Sequence, residues 1–471
     1  MYGYVNITSV DLCVNFSYKK GVMTLYSYNS SNLNDDLKFD FSTIDNFNIH
    51  TKPILAYDLE NLKYVIFFVQ DLPQDKNEIL WGSGNIIVQY YIVLKNKIDT
   101  FKVSKLSFSF LELDYFFSLN KAIKRDLLHD PITLRMETVR NDEIKETFNF
   151  YNNEERIDCE FGISQGISFR KAIPLKLKSY LNCCFNPTFD FDFIISIYWL
   201  WYCFFMFIYF RQNINFGAVK LEGEDKNGKK IYIGDLYVIR NIELHQENDD
   251  DLYDTIEFFY IKEHFPQLIQ LFAGKNVYVE HFPINKRSSK TITISDFVLF
   301  AAAFEWTFEK TYGKFNLNSK TDIVINDILA AIDSINLENY NSRQKRVVEH
   351  SRKLIEISNN NFESKINYAL KDNQNIIMPF IKYIYNLNRI EISEKIFSEI
   401  SKNLQDQRNA FAHGQIDRKM KENIVLETTI LKILTHCMVF KQANYTEDID
   451  IYTYISKIFN YHIPQEFENF K

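Results

Sequence analysis

Apolar and polar residues alternate in short runs over roughly the first 180 residues. "KYVIFFVQDL", "NIIVQYYIVL" and "ETFNFYNNEERIDCEF" are rich in β-branched and aromatic residues and are separated by Asn, Asp, Gly and Pro. Alternation with a period of two places every second side chain on one face of a strand, so these runs predict an antiparallel sandwich or barrel. Between two such runs, Asn227-Gly228 predicts a hairpin with a type I′ turn, which needs positive φ at both central positions.

Beyond about Asp254 the apolar residues recur at helical spacing. Ser295 is expected to cap a helix over "DFVLFAAAFEWTFEKTYG", which Gly313 ends. Further helices are predicted over about 322–337, over 342–370 with a break at 359–361, before "LNRIEIS", from about 393, and over about 421–440. The fold class is therefore α+β multidomain, with a β-rich part followed by an all-α bundle.

These patterns predict four segments in a chain of 471 residues, which is longer than one ordinary domain. A β-rich domain with a buried helix is expected over 1–280, and the short helix in "FFYIKEHFPQLIQLFAG" either closes this domain or links it to the next. A linker over 281–294, a helical bundle over 295–445 and a C-terminal extension over 446–471 follow.

The run Phe193–Phe210 has no charged residue and is just long enough to span a bilayer. Its aromatic residues occur throughout rather than at the two ends, and no second run of this kind exists. A helix buried in a soluble domain is therefore predicted, and a membrane anchor is the alternative. Because the N-terminus also lacks the pattern of a signal peptide, we expect a cytoplasmic protein without a membrane partner.

The net charge of −7 excludes a protein that coats nucleic acid through a global basic field, so any nucleic-acid site must be a local patch. The six cysteines form no C-x-x-C pair and no zinc-finger spacing with histidine. Scattered reduced thiols are the expectation, and neither a metal site nor a cofactor is predicted.

Near the end of a predicted helix, "RNAFAH" places Arg408, Asn409 and His413 close together, just before Gly414. Asn409 and His413 are four residues apart and share a helix face, and Arg408 flanks them. Arginine can bind a phosphodiester with two parallel hydrogen bonds, and histidine transfers protons near neutral pH. RNA carries its own nucleophile, the 2′-hydroxyl, so such a cluster could cleave RNA without a metal ion.

The "RNAFAH" stretch fits the signature of the HEPN superfamily, in which Arg is followed by a polar residue, three to five residues and His. The order of the parts resembles ApeA-like anti-phage defence proteins, and "FDFIISIYWLWYCFFMFIYFRQNINFGAVKLEG" resembles their helix-then-strand passage. The resemblance implies an abortive-infection endoribonuclease that needs no metal and acts as a homodimer, with two motifs facing each other across a two-fold axis. Higher assembly is left open. Arg408 and His413 would be catalytic, and Asn409 would orient His413 or the phosphate. RNA, with tRNA as a candidate, would be the substrate, and a phage component would be the trigger.

One predicted helix carries a basic strip in "SRQKRVVEHSRK". Its residues are Arg343, Lys345, Arg346, Arg352 and Lys353. The strip is either a contact surface for the RNA backbone or an ordinary solvated helix face.

Glu305 interrupts an apolar helix, and a carboxylate placed there needs a partner, for which Arg408 is one candidate. Some HEPN nucleases use an acidic residue from an earlier helix, and Glu305, Glu349 and Glu356 all remain open for this role. Two alternatives to the nuclease also stay open: a catalytically inactive HEPN module for dimerisation or RNA binding, and a membrane-tethered abortive-infection protein.

Overall fold

A computed structural model describes the chain in segments. The described residues are 2–7, 10–17, 22–27, 52–58, 61–69, 84–97, 100–129, 132–139, 144–167, 175–240, 255–288, 291–313, 320–338, 340–356, 361–412 and 423–464. The chain divides into two compact units. The β unit comprises Met1–Met206 and Gln212–Lys262, and the helical unit comprises Phe207–Arg211 and Glu263–Lys471.

The strands of the described residues all lie in the β unit and all pair antiparallel. In chain order they are β1 (Tyr2–Ile7), β2 (Val10–Ser17), β3 (Val22–Ser27), β4 (Lys52–Asp58), β5 (Lys63–Val69), β6 (Gly84–Leu94), β7 (Phe101–Phe108), β8 (Ile123–His129), β9 (Ile132–Thr138), β10 (Glu146–Asn152), β11 (Glu155–Ile167), β12 (Leu175–Thr188), β13 (Val219–Asp225) and β14 (Lys230–Val238).

Twelve of these strands form one sheet in the order β10-β11-β12-β7-β13-β14-β6-β3-β2-β1-β4-β5, and β8 pairs with β9. Strand β6 also pairs with β5, so the strands from β6 to β5 close into a ring, as in a barrel. The strands from β10 to β14 form an open sheet that continues from this ring. The predicted antiparallel, β-rich N-terminal half is therefore confirmed.

Helices occur in both units. In chain order they are α1 (Leu111–Phe116), α2 (Phe191–Tyr209), α3 (Phe258–Ile261), α4 (Phe265–Ala273), α5 (Ile294–Tyr312), α6 (Lys320–Asp333), α7 (Ser342–Glu356), α8 (Phe362–Asp372), α9 (Gln374–Leu387), α10 (Ile396–Ala412), α11 (Ile424–Gln442) and α12 (Asp448–Ile458). The all-helical character predicted for the C-terminal half is confirmed.

The turns that follow β10 and β13 differ in backbone conformation from the sequence-based prediction. Asn227-Gly228 does connect the hairpin β13–β14, but only Gly228 has positive φ, at 73°. The predicted type I′ turn is therefore wrong at this site. The turn with two positive φ angles lies between β10 and β11, at Asn153 (48°) and Glu154 (69°). Glutamate carries no sequence signal for that conformation.

Helix α2 contains the apolar run for which a membrane anchor was the alternative. By length and composition it could cross a bilayer, but 67% of its most apolar window is buried inside the protein. In the β unit, Trp201 is fully buried with its ring centroid 6.1 Å from that of Phe161, and its indole nitrogen donates to Cys183 Sγ at 3.1 Å. These contacts are typical of a core helix, and the prediction of a buried helix is confirmed.

Helix α5 begins two residues earlier than expected. Its N-cap is Thr293 and not Ser295, because Thr293 and Asp296 form a reciprocal capping box. Glycine ends the helix as predicted, since Gly313 has a φ of 66°. Helix α5 packs on α11, which is buried on nearly all sides, and on α8 and α10.

Helix α10 has the buried face that its periodicity predicts. Ile396, Ile400, Leu404 and Phe411 are all buried. The break expected in the preceding helical stretch is also confirmed, because α7 ends at Glu356 and Asn361 caps α8 through the amide of Ser364.

Two predicted boundaries differ from the structure. The helical unit begins at Glu263 rather than after residue 280, because α4 packs on α11 within that unit. The predicted C-terminal extension contains α12, which packs on α9 and α11, with the Tyr452 ring 5.2 Å from that of Phe380. The helical unit thus includes elements on both sides of the predicted 295–445 bundle.

Candidate functional site

Helices α5 and α8 bring a carboxylate and an aromatic ring to Arg408 of α10. Arg408 Nη2 donates to Glu305 Oε2 at 2.6 Å, and the guanidinium carbon lies 5.2 Å from the centroid of the Phe362 ring. Glu305 is the half-buried carboxylate of α5, with 26% of its side chain exposed. The predicted pairing of Glu305 with Arg408 is therefore confirmed, and charge-assisted hydrogen bonds of this kind hold a guanidinium in one orientation.

A second cation joins this ion pair from α8. Lys365 Nζ lies 3.1 Å from Glu309 Oε1 and 3.9 Å from Glu305 Oε1, and only 10% of the Lys365 side chain is exposed. The four side chains alternate in charge from Arg408 through Glu305 and Lys365 to Glu309. Such an arrangement offsets the cost of holding charges partly out of water.

Sequence reasoning missed Lys365. It lies on the face of α8 that also carries Phe362, Ile366 and Ala369, all buried. A lysine on an otherwise apolar helix face was therefore the signal that it has a carboxylate partner.

Asn409 follows Arg408 on α10 and is exposed. Its side-chain oxygen accepts from Gln405 Nε2 at 2.8 Å. The oxygen of Gln405 in turn accepts from the backbone amide of Glu363, in the first turn of α8, at 3.0 Å. Asn409 is thus connected to the same helix that supplies Lys365 and Phe362.

The third residue of the predicted motif, His413, lies outside the described residues, as does Gly414. Helix α10 is described through Ala412. The structure therefore brings Arg408 together with Glu305 and Asn409 together with Gln405, and the position of His413 relative to them stays a prediction from sequence.

The basic strip lies on α7, which packs against α6. Arg343 and Arg346 are exposed and Lys345 is partly exposed. Arg352 forms an ion pair with Asp333 on α6, with Nε 2.7 Å from Oδ1, and its hydrogen bond lowers the pKa of Asp333. The side chain of Lys353 lies outside the described residues.

Of the three acidic candidates, Glu305 is the one that the structure pairs with Arg408. Glu349 is exposed on α7, and the side chain of Glu356 lies outside the described residues.

The interior of the helical unit holds further titratable side chains. Lys432 Nζ lies 4.2 Å from the centroid of the Phe300 ring, and burial lowers the pKa of Lys432 to about 8. His436 stacks on Phe207 with ring centroids 4.5 Å apart, and burial lowers its pKa to about 4. Burial also lowers the pKa of His281. Burial away from water disfavours the charged form of histidine and lysine, so the pKa of each of these groups falls.

Within the described part of the chain, no group of three or more His, Cys, Asp and Glu side chains has the arrangement of a metal site. Comparisons with protein-family models, with curated proteins and with solved structures find no match to this chain.

Proposed function

We propose that this protein is a metal-independent endoribonuclease of the HEPN type that acts in anti-phage defence by abortive infection. The observation that carries the proposal is the half-buried ion pair between Arg408 and Glu305, next to Asn409. The arginine of the R-N-x₃-H sequence is half-buried on the side of α10 that packs on α5, where a carboxylate sets its orientation.

In the proposed reaction the ribose 2′-oxygen attacks the adjacent phosphorus, and the bond from phosphorus to the 5′-oxygen breaks. The products are a 2′,3′-cyclic phosphate and a 5′-hydroxyl. Arg408 stabilises the charge that develops on the non-bridging oxygens, and Glu305 holds the guanidinium for that contact. Lys365 adds a second positive charge near Glu305.

His413 is assigned the proton transfer, because an imidazole titrates close to neutral pH. Asn409 orients His413 or the phosphate. A single motif supplies one histidine, whereas the reaction needs a base at the 2′-oxygen and an acid at the 5′-oxygen. Two motifs meeting in a homodimer supply both, so the active form is a dimer or a larger assembly built from dimers.

The β unit is assigned the recognition of a phage-derived trigger. Once triggered, the protein is proposed to cleave RNA in the cytoplasm, with tRNA as a candidate substrate. The support for this role is the pairing of a β-rich unit with a candidate nuclease in one chain. The basic strip on α7 is assigned to the RNA backbone, through the exposed Arg343 and Arg346 and their neighbours Lys345, Arg352 and Lys353.

The test is RNA cleavage in EDTA by the purified full chain, with and without an extract of phage-infected cells that supplies the trigger. The parent is compared with Arg408→Ala and His413→Ala, each of which is expected to lower the rate at least about 100-fold. Arg156→Ala, which removes an exposed arginine paired with Asp158 in the β unit, and His462→Ala are matched controls that should cut like the parent. Equal cleavage by parent, Arg408→Ala and His413→Ala would show that the site is assigned wrongly.

A second candidate function is a non-catalytic module for dimerisation or RNA binding. The observation that favours it is the same ion pair, because Arg408 held by Glu305 is also how a purely structural arginine is neutralised. RNA that binds to the protein and stays intact in the assay, with all phosphodiesters uncut, would support this candidate.

A further inference from the structure

Helix α5 exposes an apolar stripe directly beside the candidate site. Val298, Leu299 and Trp306 are 46%, 36% and 42% exposed, and Ala302 is also exposed. Val298, Ala302 and Trp306 are spaced four residues apart, so they follow one line along the helix. The opposite face of α5 is buried in the helical unit, so the stripe covers a separate surface.

We infer that this stripe binds the same stripe of a second copy of this chain, with the two α5 helices antiparallel. The inference rests on the proposed function, whose dimer it locates. The spacing is self-complementary about Ala302. When Ala302 lies opposite its counterpart, Trp306 lies opposite the partner's Val298 and beside the partner's Leu299. The same patch on both subunits is what a two-fold contact requires, and the small central residue lets the two helices approach closely.

The charged residue at the end of the stripe fits the same register. Glu309, whose Oε1 pairs with Lys365, is exposed three residues after Trp306, and in this register it falls opposite the partner's Ser295. Ser295 is exposed in the first turn of α5, and its hydroxyl can donate to a carboxylate oxygen. The two-fold axis would produce this contact twice.

The register also brings the two candidate sites to one side of the helix pair. Glu305 flanks the stripe, three residues from Ala302, and holds Arg408. A two-fold axis perpendicular to the plane through the two helix axes leaves every residue on the same side of that plane. Both Glu305–Arg408 ion pairs therefore lie on the same side of the helix pair. From the helix rise and the usual spacing of packed helices, the two Glu305 Cα atoms would be roughly 10–13 Å apart. That separation lets two Arg408 side chains approach one phosphodiester.

The first experiment is sedimentation velocity of the full chain over a concentration series. The parent is expected to dimerise, and Ala302→Arg, which sets two like charges face to face, is expected to weaken the dimer at least about tenfold. Ala330→Arg on α6 is the matched control, since it adds the same charge at another exposed helical alanine, and it should dimerise like the parent. A parent that stays monomeric, or an Ala302→Arg dimer as strong as the control's, would overturn the inference.

The second experiment is disulfide cross-linking of Ala302→Cys, with Ala330→Cys as the control, in a Cys184→Ser background because Cys184 is exposed. Covalent dimers are expected for Ala302→Cys alone, and equal yields for both variants would contradict the register. RNA cleavage is measured separately on the same samples. A dimer through α5 that cuts no RNA would refute the proposed function and leave the interface standing. An active dimer insensitive to Ala302→Arg would refute the interface and leave the function standing.

Discussion

The core of the β unit around α2 and the interior of the helical unit bury different kinds of side chain. Around α2 the buried surface is made of rings, with Trp201 among Phe148, Phe150 and Phe161. The helical unit instead buries Lys432 and His436 and half-buries the charged network that ends at Arg408. Rings gain free energy from burial, whereas charged and titratable groups lose it.

This difference indicates where to look for chemistry. A fold gains nothing in stability from a buried lysine or a half-buried arginine that an apolar residue could not supply. Groups of this kind are typical of sites whose function needs a fixed charge or proton. The β unit around α2 is therefore expected to respond to mutation through stability, and the region around Arg408 through activity.

The largest effect is expected in the aromatic core. Trp201→Ala removes a fully buried indole and should lower the free energy of unfolding by about 3–5 kcal/mol. Chemical denaturation followed by circular dichroism measures the change. Trp199→Ala, at a partly exposed ring on the same helix, is the control and should cost less. Equal losses for the two variants would contradict the packing described for α2.

The next effect is a loss of stability in acid. The pKa of His436 is lowered from 6.5 to about 4 in the folded protein, so the unfolded chain binds more protons between these values. Stability therefore falls as the pH decreases from about 6.5 to 4, by at most about 3 kcal/mol. Denaturation at a series of pH values should show this slope, and His436→Phe should reduce it. An unchanged slope in His436→Phe would mean that other groups, such as His281, cause the acid sensitivity.

A smaller effect, on rate rather than stability, is expected at the ion pair. Glu305→Gln keeps the shape of the side chain but removes the charge that orients Arg408, and should lower the rate of RNA cleavage about 10–100-fold. Asp158→Asn makes the same change at the exposed pair with Arg156 and should leave the rate unchanged. If the loss of cleavage rate in Glu305→Gln were fully explained by a lower melting temperature of the variant, Glu305 would have a structural role only.

The smallest effect is expected on the basic strip. Arg343→Ala removes one exposed cation of α7 and should weaken RNA binding a few-fold while leaving the protein folded. The slope of log affinity against log salt should decrease in magnitude by about 0.7. Arg389→Ala, at another exposed arginine of the helical unit, is the control and should bind RNA like the parent. An identical salt slope for the parent and Arg343→Ala would show that the strip is an ordinary solvated helix face.

Most of the helical elements could be predicted, because their apolar residues recur on one face, as Ile396, Ile400 and Leu404 do on α10. The capping residue was misplaced because Ser295 and Thr293 are equally good candidates until the partner Asp296 is considered. The boundary near residue 262 could not be predicted, since α4 packs on α11, far along the chain, and local periodicity carries no information on that contact.

The candidate site was predictable in part for a related reason. Arg408 and Asn409 are neighbours in sequence, so a short motif identifies both. Glu305 was one of three acidic candidates, and only the packing of α5 against α10 selects it. Lys365 was not found, because its role depends on where α8 places it relative to Glu305 and Glu309. Residues that act together across helices are joined by tertiary packing, which a single sequence does not display.

The central claim is that Arg408 and His413 cut RNA through the 2′-hydroxyl. The most direct measurement is end mapping of one defined RNA cut in EDTA by the parent and by His413→Ala side by side. The account predicts fragments with 2′,3′-cyclic phosphate and 5′-hydroxyl ends from the parent and uncut RNA from the variant. Fragments with 5′-phosphate ends, or the same cyclic-phosphate ends at the same rate from His413→Ala, would contradict it.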